Sequence, residues 1–264
     1  MKRRKFLLLS GVGVVGALAA YIGGANLFVS VKRPNLANLK KYKGKKMKAL
    51  ILGASGMVGG EVLKACLECE SIDKITAIVR RDLGVENAKL TQIIHGDFND
   101  FSSLDLSGCD ICFYCIGTYT GSVDESEFER IICGISGAFA SQLKAQNPNI
   151  AYIHLSGAGA DESESSKTLF ARLFGKAENH LKSLNFGRLH IFRPGYIYPV
   201  VPRKEPNVFY SAMRVLYKPI FSHFKGSSTT SQILANAMLS VALLGGEKQI
   251  YENTKRLFFH RRDN

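Results

Sequence analysis

Three glycines recur at every third position, Gly53, Gly56 and Gly59, directly behind the apolar run Lys48–Leu52 and at the head of an amphipathic stretch from Met57. Each has separate work to do. Gly53 permits a tight turn off a strand, Gly56 lets a phosphate approach the backbone, and Gly59 lets a helix lie close against the strand. A helix start adds unpaired N–H groups and a partial positive charge. Gly53, Ser55, Gly56, Met57, Val58 and Gly59 are therefore the expected cradle for the pyrophosphate of a dinucleotide. A bare glycine pattern is weak evidence, but strand, turn and helix follow here in the required order at the first βα unit. An ordinary glycine-rich turn is the bland alternative.

The second expected strand ends in Arg80-Arg81. An acidic residue there would hold a ribose 2′-hydroxyl, whereas guanidinium groups make bidentate, charge-assisted bonds to a 2′-phosphate. NADP(H) is thus expected in preference to NAD(H), the alternative being two solvated arginines. After the third strand, Asp97 can accept from an adenine amino group with Phe98 alongside the ring, or can simply cap the short turn that follows. His95 reads as a strand-end surface residue. Cys115 and Gly117, after the fourth strand, are expected beneath the nicotinamide ribose.

These residues need a scaffold. From Met47, short apolar runs alternate with longer amphipathic stretches, the pattern of a parallel sheet. Strands are expected at 48–52, 74–79, 91–95, 110–116, 150–155 and 188–192, with a last short one at 249–252. Helices are expected at 57–69, 125–146, 167–184, 208–221 and 230–244. The fold class is α/β, a doubly wound parallel sheet of Rossmann type with a small C-terminal substrate region, preceded by an N-terminal hydrophobic helix. Residues 1–46 form the expected anchor and linker, and residues 47–264 the NAD(P)-binding domain.

The net charge of +13 invites a nucleic-acid reading, but its location argues against one. The first 48 residues carry twelve Lys or Arg and no Asp or Glu, and the other 216 hold 23 basic against 22 acidic side chains. Residues 6–31 are free of charge and flanked by basic clusters, a length sufficient to cross a bilayer. The expectation is a single-pass membrane protein with its domain on the cytoplasmic side, because the larger basic cluster follows the apolar run. A twin-arginine export signal at Arg3-Arg4-Lys5-Phe6-Leu7 and a buried core helix are the alternatives. The six cysteines lie between Cys66 and Cys133. Cys109, Cys112 and Cys115 are three apart in a strand and alternate between its faces, so they cannot share a zinc ion. Cys66 and Cys69 lie too deep in their helix to use its N-terminus for thiolate stabilisation, and core packing is expected.

Taken in order, Gly53-x-x-Gly56-x-x-Gly59, Arg80-Arg81, Gly96-Asp97, Phe113–Thr118, Leu155–Ala160 and Phe192-Arg193-Pro194-Gly195 resemble the atypical short-chain dehydrogenase/reductases. Within them the likeness is to the Tat-interactive-protein oxidoreductase branch. The resemblance implies an NAD(P) cofactor across the C-terminal edge of the sheet and a substrate region built after Arg193. It also implies a Ser after the fifth strand and a Tyr-x-x-x-Lys on the next helix, the tyrosine moving a proton and the lysine lowering its pKa. Here the sequence departs from the family. Gly157 stands where the second Ser of the family's pair would be, and Phe170 and Phe174 fall near the Tyr and Lys positions. Ser156 remains a catalytic candidate. Lys176 is a second, although displaced by two residues, about 200° round a helix. Tyr119, Tyr196 and Tyr198 are candidate acids from loops, each also readable as a packing residue. The expected function is a membrane-associated, NADPH-dependent oxidoreductase of an unidentified small molecule. The alternative is a catalytically inactive NADPH-binding scaffold or redox sensor.

Overall fold

A computed structural model describes residues 45–201 and 228–252, with Ser211, Arg214, Val215 and Tyr217 between them. The expected N-terminal hydrophobic helix and most of the helix expected at 208–221 lie outside the described residues. Among the described residues no helix is long and apolar enough to cross a membrane.

The strands are β1 (Met47–Leu52), β2 (Ile72–Val79), β3 (Leu90–Ile94), β4 (Ile111–Tyr114), β5 (Ala151–Leu155), β6 (Arg188–Arg193), β7 (Tyr196–Tyr198), β8 (Ser228–Thr230) and β9 (Ile250–Glu252). The helices are α1 (Met57–Glu68), α2 (Glu125–Glu129), α3 (Ser136–Gln146), α4 (Leu169–Ser183) and α5 (Ser231–Leu244). Seven strands form one parallel sheet in the order β3-β2-β1-β4-β5-β6-β9. Every expected strand is present, with ends shifted by one or two residues.

Central strands of a parallel sheet are covered on both faces and so read as unbroken apolar runs. In β1, Ala49 and Ile51 meet Val58 and Val62 of α1 and Leu234 and Met238 of α5. Leu50 and Leu52 point the other way, onto Phe139 and Leu143 of α3 and Leu181 of α4. Helices on both faces make the sheet doubly wound.

Two features were not expected. β7 and β8 form a separate two-stranded parallel sheet beyond β6; three-residue strands are too short to show a period of two. The helix expected to run unbroken through 125–146 contains a π-helical turn at Arg130–Ile135. Arg130, its first residue, donates to Glu127 at 2.6 Å and to Asn99 at 2.7 Å, tying this helix to the loop after β3.

His154 of β5 is buried and stacks on Tyr114 of β4 at 5.1 Å. Burial among apolar neighbours disfavours its charged form and lowers its pKa to about 3. Above the unfolded value of about 6.5 the ring is neutral in both states and stability does not depend on it. Below that pH the unfolded chain takes up a proton that the folded chain refuses, so stability falls as pH falls, until about pH 3. His154→Leu is expected to remove this slope. Between about pH 7.5 and about pH 5, urea unfolding of the unmodified protein should lose about 2 kcal/mol more than the variant loses. Equal losses would show that His154 is not buried neutral.

Candidate nucleotide-binding edge

The order of strands reverses between β1 and β4, and in open α/β sheets the crevice at this switch point takes ligands. Leu52 pairs with Tyr114, and the amide of Cys115 donates to the Leu52 carbonyl at 2.9 Å. The turns after β1 and β4 therefore run side by side. Gly53 has φ +84°, and a Cβ there would stand 2.7 Å from the carbonyl carbon and oxygen of Cys115. Gly56 closes the turn by donating to the Gly53 carbonyl at 2.8 Å. A Cβ on Gly59 would overlap that same carbonyl. Any side chain at Gly53 or Gly59 would thus push helix, strand and neighbouring turn apart.

Gly56 is also the N-cap of α1, with no side-chain cap and no acidic residue in the first turn. The first N–H groups of α1 therefore lack side-chain acceptors. Ser55 and Gly56 are exposed at the tip, Met57 is half-buried, and Val58 is buried beneath. These six expected residues are brought together. The residues present fit a dinucleotide phosphate group, because the cradle consists of backbone kept open by missing Cβ atoms.

Leu52 also pairs with Ile78, so Arg80 and Arg81 follow β2 beside the glycine turn, and both are exposed. Beyond β3, Asp97 accepts from the backbone and side-chain amides of Asn99, both at 2.9 Å, which closes the turn. Phe98 is half-buried and meets Phe101 edge-on at 5.7 Å. Cys115 is buried and desolvation pushes its thiol pKa up to about 12, so its contribution here is its backbone. Gly117 is exposed on the same loop. Burial likewise raises Cys66 and Cys112, whose thiols are inert packing groups.

The two catalytic candidates are not brought together. Ser156 donates its hydroxyl hydrogen to Glu178 of α4 at 2.5 Å. Glu178 is fully buried and is clasped by Arg193, whose Nε donates to it at 2.9 and 3.1 Å and whose Nη2 donates to it as well. Arg193 reaches Glu162 at 2.9 Å and Glu252 at 3.3 Å too. Its pKa is raised, chiefly by the bonds to Glu178. Lys176, two residues before Glu178, points elsewhere: its Nζ pairs with Glu129 at 2.8 Å and its side chain is 52 % exposed.

The Ser156–Glu178–Arg193 cluster has a signal in the sequence. Glu178 stands on the apolar face of its helix, four residues after Phe174 and three before Leu181, and a charge in such a place needs a partner. Arg193 ends an apolar strand. The space over Gly157 is filled by Phe170, whose ring a Cβ on Gly157 would overlap. Among the described residues no group of three or more His, Cys, Asp or Glu is placed to hold a metal ion.

No family profile matches the chain. Protein HTATIP2 of Rattus norvegicus is 32 % identical over 161 residues, 59 % of this chain and 65 % of that protein. Protein FMP52, mitochondrial, of Meyerozyma guilliermondii is 30 % identical over 154 residues, 57 % of this chain and 65 % of that protein. The chain thus spans 65 % of the length of each. Among solved structures, WbmH of Bordetella bronchiseptica in complex with NAD+ has a TM-score of 0.58 at 15 % identity, covering 78 % of this chain and 75 % of that one. UDP-glucuronic acid 4-epimerase of Bacillus cereus in complex with NAD has a TM-score of 0.56 at 15 % identity, covering 78 % of each chain. At such identities the structures establish the Rossmann-like fold. The likeness to HTATIP2 and FMP52 supports the resemblance to the atypical short-chain dehydrogenase/reductases of the Tat-interactive-protein branch.

The expected localisation is corrected by these relatives. The FMP52 proteins of Meyerozyma guilliermondii, Eremothecium gossypii and Candida albicans are mitochondrial by name, where a cytoplasm-facing or exported protein was expected. The apolar run that suggested a membrane span lies outside the described residues, and no described helix replaces it.

Proposed function

We propose that residues 47–264 bind NADPH along the C-terminal edge of the sheet and act as an oxidoreductase on a small molecule held by the region after Arg193. The observation that carries this reading is the cradle of Gly53, Gly56 and Gly59, kept open against the Cys115 backbone at an uncapped helix start. The amides of residues 55–59 would hold the pyrophosphate, and Arg80 and Arg81 the 2′-phosphate. Asp97 and Phe98 would flank the adenine, and the backbone of Cys115 and Gly117 the nicotinamide ribose. The bound nucleotide would supply two electrons and a proton as hydride. The chain's own residues bind and orient it, and Ser156 donates its hydroxyl hydrogen to Glu178.

A specific observation favours a second reading. The ring over Gly157 is that of Phe170, which falls near the place where the resemblance implies a proton-moving tyrosine; a ring without a titratable proton there supports a nucleotide-binding scaffold or sensor without turnover.

Titration of the full chain with NADPH and NADH, followed by nucleotide fluorescence, tests the cofactor assignment. One NADPH per chain, bound more tightly than NADH, is expected; no binding of either nucleotide refutes it. Replacing Arg80 and Arg81 together by alanine should weaken NADPH about 30-fold, the loss of one or two charge-assisted bonds, and leave NADH nearly unchanged. Equal loss for both nucleotides would remove the arginines from the 2′-phosphate.

A further inference from the structure

Beside the Ser156–Glu178–Arg193 cluster, the loop after β5 meets a group of aromatic rings. The Phe170 ring covers Gly157 and lies 4.4 Å, centroid to centroid, from Phe174. Phe128, Ile132 and Leu173 back these rings. Phe170 is only half-buried, so part of its ring faces outward. The turn after β6 leads to further aromatic rings. Ala158 donates to the Pro194 carbonyl at 2.9 Å, which draws the turn after β6 beside the Gly157 backbone. Two residues after Pro194 begins β7, whose Tyr198 stacks on Tyr217 at 4.2 Å and 15°. Among the described residues the exposed large apolar side chains number five, and Val200, Val201 and Val215 of this region are three of them. A polar, charged substrate would gain little from such walls.

We propose that this edge takes a planar, lipophilic, conjugated hydride acceptor of the quinone class in place of an isolated ketone or aldehyde. The proposal rests on the nucleotide reading above. Reduction of an isolated carbonyl develops an alkoxide, and a positioned acid at that oxygen contributes about 10²–10⁴ to the rate. Phe170 offers no such acid, the Ser156 hydrogen is committed to Glu178, and the β7 tyrosines, Tyr196 and Tyr198, are held in ring contacts with Tyr217. A quinone has no such need. It gains the hydride as the C4–H bond of the dihydronicotinamide breaks, so two electrons and one proton pass together and the oxidised nucleotide remains. The product is a quinol monoanion, a phenolate whose conjugate acid has a pKa of about 10, and it takes its second proton from water. Flat rings also stack favourably against Phe170, a contact that an aliphatic ketone cannot make.

The full chain with NADPH and menadione provides the test. The protein has ten tyrosines and no tryptophan, so tyrosine fluorescence reports quinone binding without turnover. Menadione should quench that fluorescence saturably, and Phe170→Ala should weaken its binding about fivefold, the worth of one stacking contact, with NADPH affinity retained. NADPH-dependent reduction of menadione should exceed that of benzaldehyde or cyclohexanone by about 100-fold, the scale of the missing acid catalysis. Faster reduction of either carbonyl compound, or NADPH bound with menadione neither bound nor reduced, overturns the proposal. Preference for free FMN, conjugated but carrying a charged phosphate, overturns the lipophilic assignment. Absence of NADPH binding overturns the nucleotide reading and the proposal with it.

Discussion

Replacing Gly59 with valine is expected to raise the dissociation constant for NADPH by about 100-fold or more, because even one added carbon overlaps a backbone carbonyl. That carbonyl belongs to Gly53, which also accepts the Gly56 amide at 2.8 Å. Nothing flexible stands in the way, so relief requires α1 to move off β1. The N–H groups at the start of α1 would then no longer converge where the pyrophosphate would lie. Overpacking of this kind costs about 1–3 kcal/mol of stability, so circular dichroism should show a folded protein with a lowered melting temperature. Gly60→Ala is the matched control. Its added carbon would meet the Ala54 carbonyl at 3.4 Å, a contact the backbone can nearly accept, and binding should survive. Unchanged NADPH affinity in Gly59→Val would remove the cradle from nucleotide binding.

Arg193→Ala is expected to destabilise the protein by about 3–5 kcal/mol, the cost of leaving a buried carboxylate without its partner. Glu178 is fully buried, and Arg193, 6 % exposed, supplies its cationic partner. The same guanidinium joins Glu162, from the loop before α4, to Glu252 of β9, so one removal loosens three segments. The loss corresponds to a drop in melting temperature of about 10 °C for a chain of this size. Combining Glu178→Gln with Arg193→Met removes both buried charges and should recover much of the loss. A destabilisation by Arg193→Ala below about 1 kcal/mol would mean that water reaches the cluster.

How far the sequence carried the reading depends on the range of the interactions involved. The glycine cradle is local: three residues within seven, read against the strand before and the helix after, and the structure brings them together. The central strands of the main sheet were legible because both of their faces are covered, which writes burial as apolar runs, whereas the edge strands β3 and β9 are only partly buried. The Ser156–Glu178–Arg193 cluster joins residues 22 and 15 apart and has no local period, although a lone Glu on an apolar helix face announces a partner. Asp97 shows how one residue type serves two readings, since its carboxylate closes a turn with Asn99. Lys176 could be placed by helical geometry alone. Two residues from Glu178 it must face away, and it does, toward Glu129. What no pattern disclosed is the fit between Gly157 and Phe170, where a missing side chain on one element makes room for a ring on another.

The most direct measurement is a crystal structure of the full chain soaked with NADPH. The expected result is density for both phosphates over the amides of residues 55–59, with the 2′-phosphate between Arg80 and Arg81 and the nicotinamide ribose along the backbone of Cys115 and Gly117. Phosphate density lying elsewhere, or a glycine turn that stays empty in crystals saturated with NADPH, would contradict it.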